Sequence, residues 1–181
     1  DHDKALRIAR MLILNYSPDI SKGNENMLAL LFDMNKLWEK YIYRMLKARE
    51  DETFAVSYQA SDRFWENRII KPDIVIQRKT ADKQAQAFET IVIDTKWKRL
   101  NDNKPSDDDL KQMYAYNMYW NSAKSMLLYP AYDNTADSDF GKYHKGRSTD
   151  NLCKIGFVSV LDKDGKLSSS IASDVLKKFE S

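Results

Sequence analysis

In a β-strand, side chains two positions apart share a face. Asp94 and Lys96 in the run Ile91–Trp97 (IVIDTKW) therefore project together, while Ile93 and Thr95 point the other way. An acid and a cation thus stand side by side. Upstream, Pro72-Asp73 opens a second apolar run, Ile-Val-Ile, and proline is tolerated at a first strand position because its missing N–H costs little there. If the two runs are neighbouring strands, Asp73 faces Asp94. Two converging carboxylates repel, and one holds its proton abnormally tightly unless a cation intervenes. Magnesium resolves that conflict with one or two carboxylates, waters and phosphate oxygens. Asp73, Asp94 and the backbone carbonyl of Thr95 match such a ligand set, and manganese is the expected substitute. A cation held there lowers the pKa of an attacking water, while Lys96 adds fixed positive charge beside a phosphodiester. The chemistry implied is metal-assisted phosphodiester hydrolysis. Neither motif is informative alone, since each arises by chance roughly once in a few hundred residues. Their weight comes from the elements that carry them.

Those elements alternate between helix and strand. From Met27 to about Arg49 the stripe Leu31, Met34, Trp38, Ile42, Met45 follows the helical three-four rhythm without internal glycine or proline, and Glu39 lies at its edge. TFAVSYQ, IIKPDIVIQR and FETIVIDTKW read as three strands, and the polar stretch RKTADKQAQA makes the last two a hairpin. A helix then starts at Ser106, whose hydroxyl can cap free amides while Asp107, Asp108 and Asp109 complement the positive end of the dipole. SMLLYP and LCKIGFVSVL read as further strands, separated by about twenty polar residues, a long loop for a compact domain. Ile171, Val175, Leu176 and Phe179 mark a closing helix, and residues 4 to 16 a short opening one. The order is that of an α/β fold.

Composition bounds the rest. At 181 residues and 43% hydrophobic content, residues 1 to 181 suit a single domain able to bury its own core. Because the sequence opens on Asp1, we expect it to be the C-terminal part of a longer protein. The lone cysteine, Cys153, forms no internal disulfide, which favours a reducing, cytoplasmic setting. No run approaches the roughly 20 apolar residues of a spanning helix, so no membrane association is expected. The net charge of +2 argues neither for nor against nucleic acid.

The order of helix, strand, Pro-Asp strand, Asp-x-Lys strand, helix and strand resembles the PD-(D/E)xK nuclease superfamily. More narrowly, LLFDMNKLWEKY, KPDIVI, IVIDTKWKRL, DLKQMYAY and LLYP resemble the nuclease part of the McrC family, the cutting subunit of McrBC modified-cytosine restriction systems. The resemblance covers roughly residues 28 to 130. It implies a restriction-endonuclease-like core, a central mixed sheet flanked by helices. Asp73 and Asp94 become metal ligands, Lys96 the catalytic lysine, and Glu39 an auxiliary acid that can join the metal shell. Gln112 and Tyr116, one helical turn apart, match the family's helix motif as positioning groups. The partners implied are DNA and an McrB-like AAA+ GTPase, engaged through regions beyond this sequence and responsible for reading methylated sites. Two other readings stay open: a stand-alone repair or recombination nuclease, and a non-catalytic binding module on the same fold.

Other residues suit lesser roles. Lys98 and Arg99 follow the catalytic lysine and, with Lys142, Lys145 and Arg147 of the long loop, are candidate contacts to DNA phosphates. Trp97 is either part of that cluster or core. GKYHKGRS imitates a phosphate-binding loop, but Arg147 stands where lysine is required and a strand follows. Asp133, Asp137 and Asp139 imitate a calcium loop that no glutamate closes.

Overall fold

The computed structural model describes residues 33–80, 88–100, 102, 104–133, 135–144 and 151–180. The short helix expected over residues 4 to 16, and the candidate DNA contacts Lys145 and Arg147, lie outside the described residues. Helix α1 spans Met34–Lys47. Asp33 caps it by accepting from the Lys36 amide at 3.2 Å, and Arg44 and Lys47 complement its C-terminal dipole. Trp38, Ile42 and Leu46, each four residues apart, are its buried apolar stripe, with Met45 only partly covered.

Strand β1 (Phe54–Tyr58) pairs antiparallel with β4 (Ile74–Lys79), which pairs antiparallel with β5 (Phe88–Thr95). The hairpin read from the sequence is present. One expectation needs correction: IIKPDIVIQR is not a single strand. Between β1 and β4 lies a separate hairpin of β2 (Asp62–Trp65) and β3 (Arg68–Ile70), so Ile69 and Ile70 belong to β3 and the chain resumes as β4 after Pro72 and Asp73. Proline lacks the N–H that a continuous ladder would need there.

Helix α2 (Asp107–Tyr119) follows, with Ser106 Oγ accepting from the Asp109 amide at 3.2 Å as its composition predicts. Strand β6 (Lys124–Pro130) pairs parallel with β5 and with β8 (Leu152–Val158). The stretch between them is not all loop, since β7 (Gly141–Lys142) pairs antiparallel with β8. Helix α3 (Ile171–Lys177) closes the chain. The six-stranded order is β1-β4-β5-β6-β8-β7. This is the α/β arrangement expected, a mixed central sheet flanked by helices.

Each sheet face has its own core. Ile74, Ile76, Ile91, Ile93, Met126 and Leu128 pack under α1 and α3; Val75, Val92, Leu127, Tyr129 and Phe157 pack under α2 through Met113 and Tyr116. Central strands covered on both faces read as continuous apolar runs rather than alternating ones. Gly156 on β8 is such a packing requirement, because a Cβ there would meet Met126 Sδ at 2.4 Å. Among the described residues, no helix is long and apolar enough to cross a membrane.

Candidate active site

The β4–β5 register ends at Ile74 opposite Ile93, which leaves Asp73, the residue just before β4, close enough to Asp94 to feel its charge. Asp94 falls on the α2 face by alternation with Val92. Asp94 is 3% exposed. Its Oδ2 accepts no well-aligned hydrogen bond and instead lies 2.7 Å from Lys96 Nζ as an ion pair. Asp73 Oδ2 accepts from the Thr95 amide at 2.7 Å and the Thr95 hydroxyl at 2.8 Å. Thr95 therefore orients the first aspartate through its N–H and side chain, in addition to the carbonyl role expected for it.

Helix α2 supplies the groups that hold the lysine. Gln112 Oε1 accepts from Lys96 Nζ at 3.1 Å, and Gln112 Nε2 donates to the Tyr116 hydroxyl at 2.9 Å. The hydroxyl in turn donates to the Lys71 carbonyl at 2.9 Å, which ties α2 to the segment leading into Asp73. Gln112 thus touches Lys96 directly, and Tyr116 reaches it through Gln112. On α1, Glu39 is buried and accepts from Gln59 Nε2 at 2.6 Å, and Gln59 Oε1 accepts from Lys71 Nζ at 3.1 Å.

Two participants escaped the sequence reading. The sequence marks Asp109 only as a complement to the helix dipole, yet its buried carboxylate pairs with Lys96 at 3.4 Å and Lys98 at 2.7 Å. Its spacing from Gln112 and Tyr116, three and then four residues, was the available signal. Gln59 gave none. Its backbone is left-handed, at φ 48°, and its amide donates to the Asp73 carbonyl at 2.8 Å. The remaining expectations divide. Lys98 is engaged by Asp109, Arg99 lies over the Tyr132 ring at 5.1 Å, and Lys142 is exposed on β7. Trp97 packs on Trp38 with ring centroids 5.7 Å apart and belongs to the α1-side core. Asp137 is a structural anchor, accepting from the Phe157 amide at 2.8 Å and pairing with Lys178 at 2.5 Å.

The charges are unbalanced in a way that bears on chemistry. Burial, followed by the charge of Asp94, pushes Asp73 up to about 6, against the two bonds from Thr95. Burial also raises Asp94, opposed mainly by Lys96. For Lys96, burial works against the charged form, but Asp94 and Asp109 outweigh it and hold the ammonium above its usual range. Asp109 runs the other way: burial raises it, while bonds to Lys98 and Ser106 and the charge of Lys96 bring it down to about 2. Burial and the charges of Asp94 and Asp73 push the Tyr116 phenol well up, so it remains a neutral donor. The acids Glu39, Asp73, Asp94 and Asp109 outnumber the cations Lys71, Lys96 and Lys98. Such an acid excess fits a hard cation. Among the described residues no cluster of three or more His, Cys, Asp or Glu groups forms a ready-made metal cage.

Among solved structures, the fold is similar to a chain of the refined half-complex from the tetradecameric assembly of Thermococcus gammatolerans McrB AAA+ hexamers with bound McrC. The TM-score is 0.56 at 19% identity, over 82% of this chain and 33% of that one. The likeness is one of fold, and this chain spans about a third of the length of the chain it matches. Curated proteins give no match. The sequence profile of the McrBC 5-methylcytosine restriction system component matches residues 1–130 of the 181. That region carries every strand and helix of the site, and the chain belongs to the McrBC 5-methylcytosine restriction system component family.

Proposed function

We propose that this chain carries the nuclease centre of an McrC-type subunit, hydrolysing DNA phosphodiester bonds with magnesium. Its partner is an McrB-like AAA+ GTPase that reads modified cytosine and hydrolyses GTP. The observation that carries this reading is the buried, mutually repelling pair Asp73 and Asp94 beside a lysine fixed by Asp94, Asp109 and Gln112. Asp73, Asp94 and the Thr95 carbonyl would hold the metal, with Glu39 at its margin. A bound magnesium ion supplies Lewis-acid charge and a more acidic water.

The chain's own groups do the rest. Lys96, kept fully charged, presents a fixed cation to the phosphodiester at the point where negative charge grows. Its three partners hold it in place before substrate arrives, so no reorganisation is needed during reaction. Gln112 is fixed by Tyr116, and Tyr116 by the Lys71 carbonyl, so the lysine's position is set by the contact between α2 and the entry to β4. Lys98, Arg99 and the exposed Lys142 supply contacts to phosphates further along the DNA.

The test is cleavage of methylated DNA by the full-length protein with its AAA+ partner, GTP and magnesium. Asp94→Ala and Lys96→Ala should each lower the rate on the order of 10³-fold while the protein stays folded, the scale of removing a preorganised charge stabiliser. Cleavage that proceeds without the partner would favour a stand-alone nuclease. Cleavage by the two variants at the parent rate would end the proposal.

A further inference from the structure

Hairpin β2–β3 exposes apolar side chains where a soluble surface rarely keeps several together. Phe64 is 53% exposed, Trp65 62% and Ile69 62%. The hairpin is nonetheless fixed. The Tyr119 hydroxyl donates to the Phe64 carbonyl at 3.2 Å, and the two rings lie 5.8 Å apart. Between hairpin and α2 runs a groove of about 400 Å³, lined by Phe64, Ile69, Ile70 and Lys71 on one side and by Gln112 and Tyr116 on the other. The volume falls within the range of small-molecule clefts. Its lining includes one cation and no carboxylate.

Gln112 belongs to both places. It lines the groove, and its Oε1 is 3.1 Å from Lys96 Nζ. If a phosphodiester sits at Lys96, as the proposed function holds, the nucleotide beside that phosphate is the group within reach of the groove. Aromatic and aliphatic walls accept the flat face of any base, and Lys71 at the end suits the adjoining phosphate. We infer that this groove takes an unstacked base of the DNA strand next to the cleaved phosphate, with Phe64 and Ile69 as its walls. The hairpin is then a base-holding element and positions the strand for Asp73, Asp94 and Lys96.

The inference rests on the nuclease reading but is tested by binding without cleavage. The full-length protein is titrated, in the absence of divalent metal, with duplexes carrying 2-aminopurine at successive positions. One position should brighten as its base leaves the stack. Phe64→Ala and Ile69→Ala should weaken DNA binding about tenfold, in line with the loss of one base stack. Phe64→Trp should retain both affinity and brightening, which separates stacking from a loosened hairpin. The inference is overturned if no position responds, or if both alanine variants bind DNA as the parent does. It is equally overturned if those variants lose affinity only for the AAA+ partner, since the groove would then dock protein. A parent that brightens one base yet never cleaves with partner, GTP and magnesium would sink the nuclease reading and leave the groove assignment intact.

Discussion

The two faces of the central sheet are built from the same strands and do opposite things. Under α1 and α3, the alternate residues Ile74, Ile76, Ile91, Ile93, Met126 and Leu128 form an apolar layer exposed by 3% or less. Under α2, Val75, Val92, Leu127 and Tyr129 begin a similar layer, but the alternation then delivers Asp94 and Lys96 to its edge. Ile93 and Asp94 are adjacent in sequence, both almost fully buried, and differ only in which face they meet. One face gains free energy by excluding water; the other gives up part of that gain to keep charges close, unscreened and fixed. Stability and chemistry are thereby separated across the thickness of one sheet.

That separation can be broken most sharply at Ile93. Ile93→Ala should cost about 3 kcal/mol of unfolding free energy by denaturant titration, through lost burial and a cavity, while leaving Asp73, Asp94 and Lys96 in place. A cost near zero would mean the α1 side is not the structural face. On the opposite face the sign reverses. The carboxyl of Asp73 titrates near 6 in the folded protein against a usual 3.8, so its contribution to stability is complete below pH 3.8 and lost as pH rises through 6. In metal-free protein Asp73→Asn should therefore be more stable than the parent by about 2 kcal/mol at pH 8, with the difference gone near pH 4. A destabilised variant at pH 8 would contradict the conflict of charges inferred there.

A smaller effect tests whether α2 positions the lysine. Gln112→Ala removes one of three partners of Lys96 and should lower the cleavage rate about tenfold with little change in substrate affinity. Ser106→Ala removes the cap of α2 and should cost about 1 kcal/mol in thermal or denaturant unfolding. No change in either would detach the helix from the site.

Most of this organisation is written locally. The β4–β5 pairing, the capped start of α2 and the neighbouring aspartates follow from apolar runs, a polar connection and Ser106, all signals within a few residues. The hairpin β2–β3 was hidden because Ile69 and Ile70 extend the apolar run into Pro72 and Asp73, and only the tertiary fold shows that they pair backward with Asp62 and Arg63. Gln59 was illegible for a different reason. Its role depends on a left-handed backbone and on partners at Glu39 and Lys71, which no periodicity records. Asp109 carried a readable signal that a second, sufficient explanation concealed: an acid at a helix start is already accounted for by the dipole.

That double duty of Asp109 has a dynamic consequence. Its amide closes the first turn of α2 on Ser106, while its carboxylate holds Lys96 and Lys98. Fraying of that turn would remove one of the lysine's three partners and free Lys98, leaving Asp94 and Gln112 to hold Lys96. Amide hydrogen exchange at Asp109 reads how often that turn opens, and slowing it should steady the pairing of Asp109 with Lys96 and Lys98.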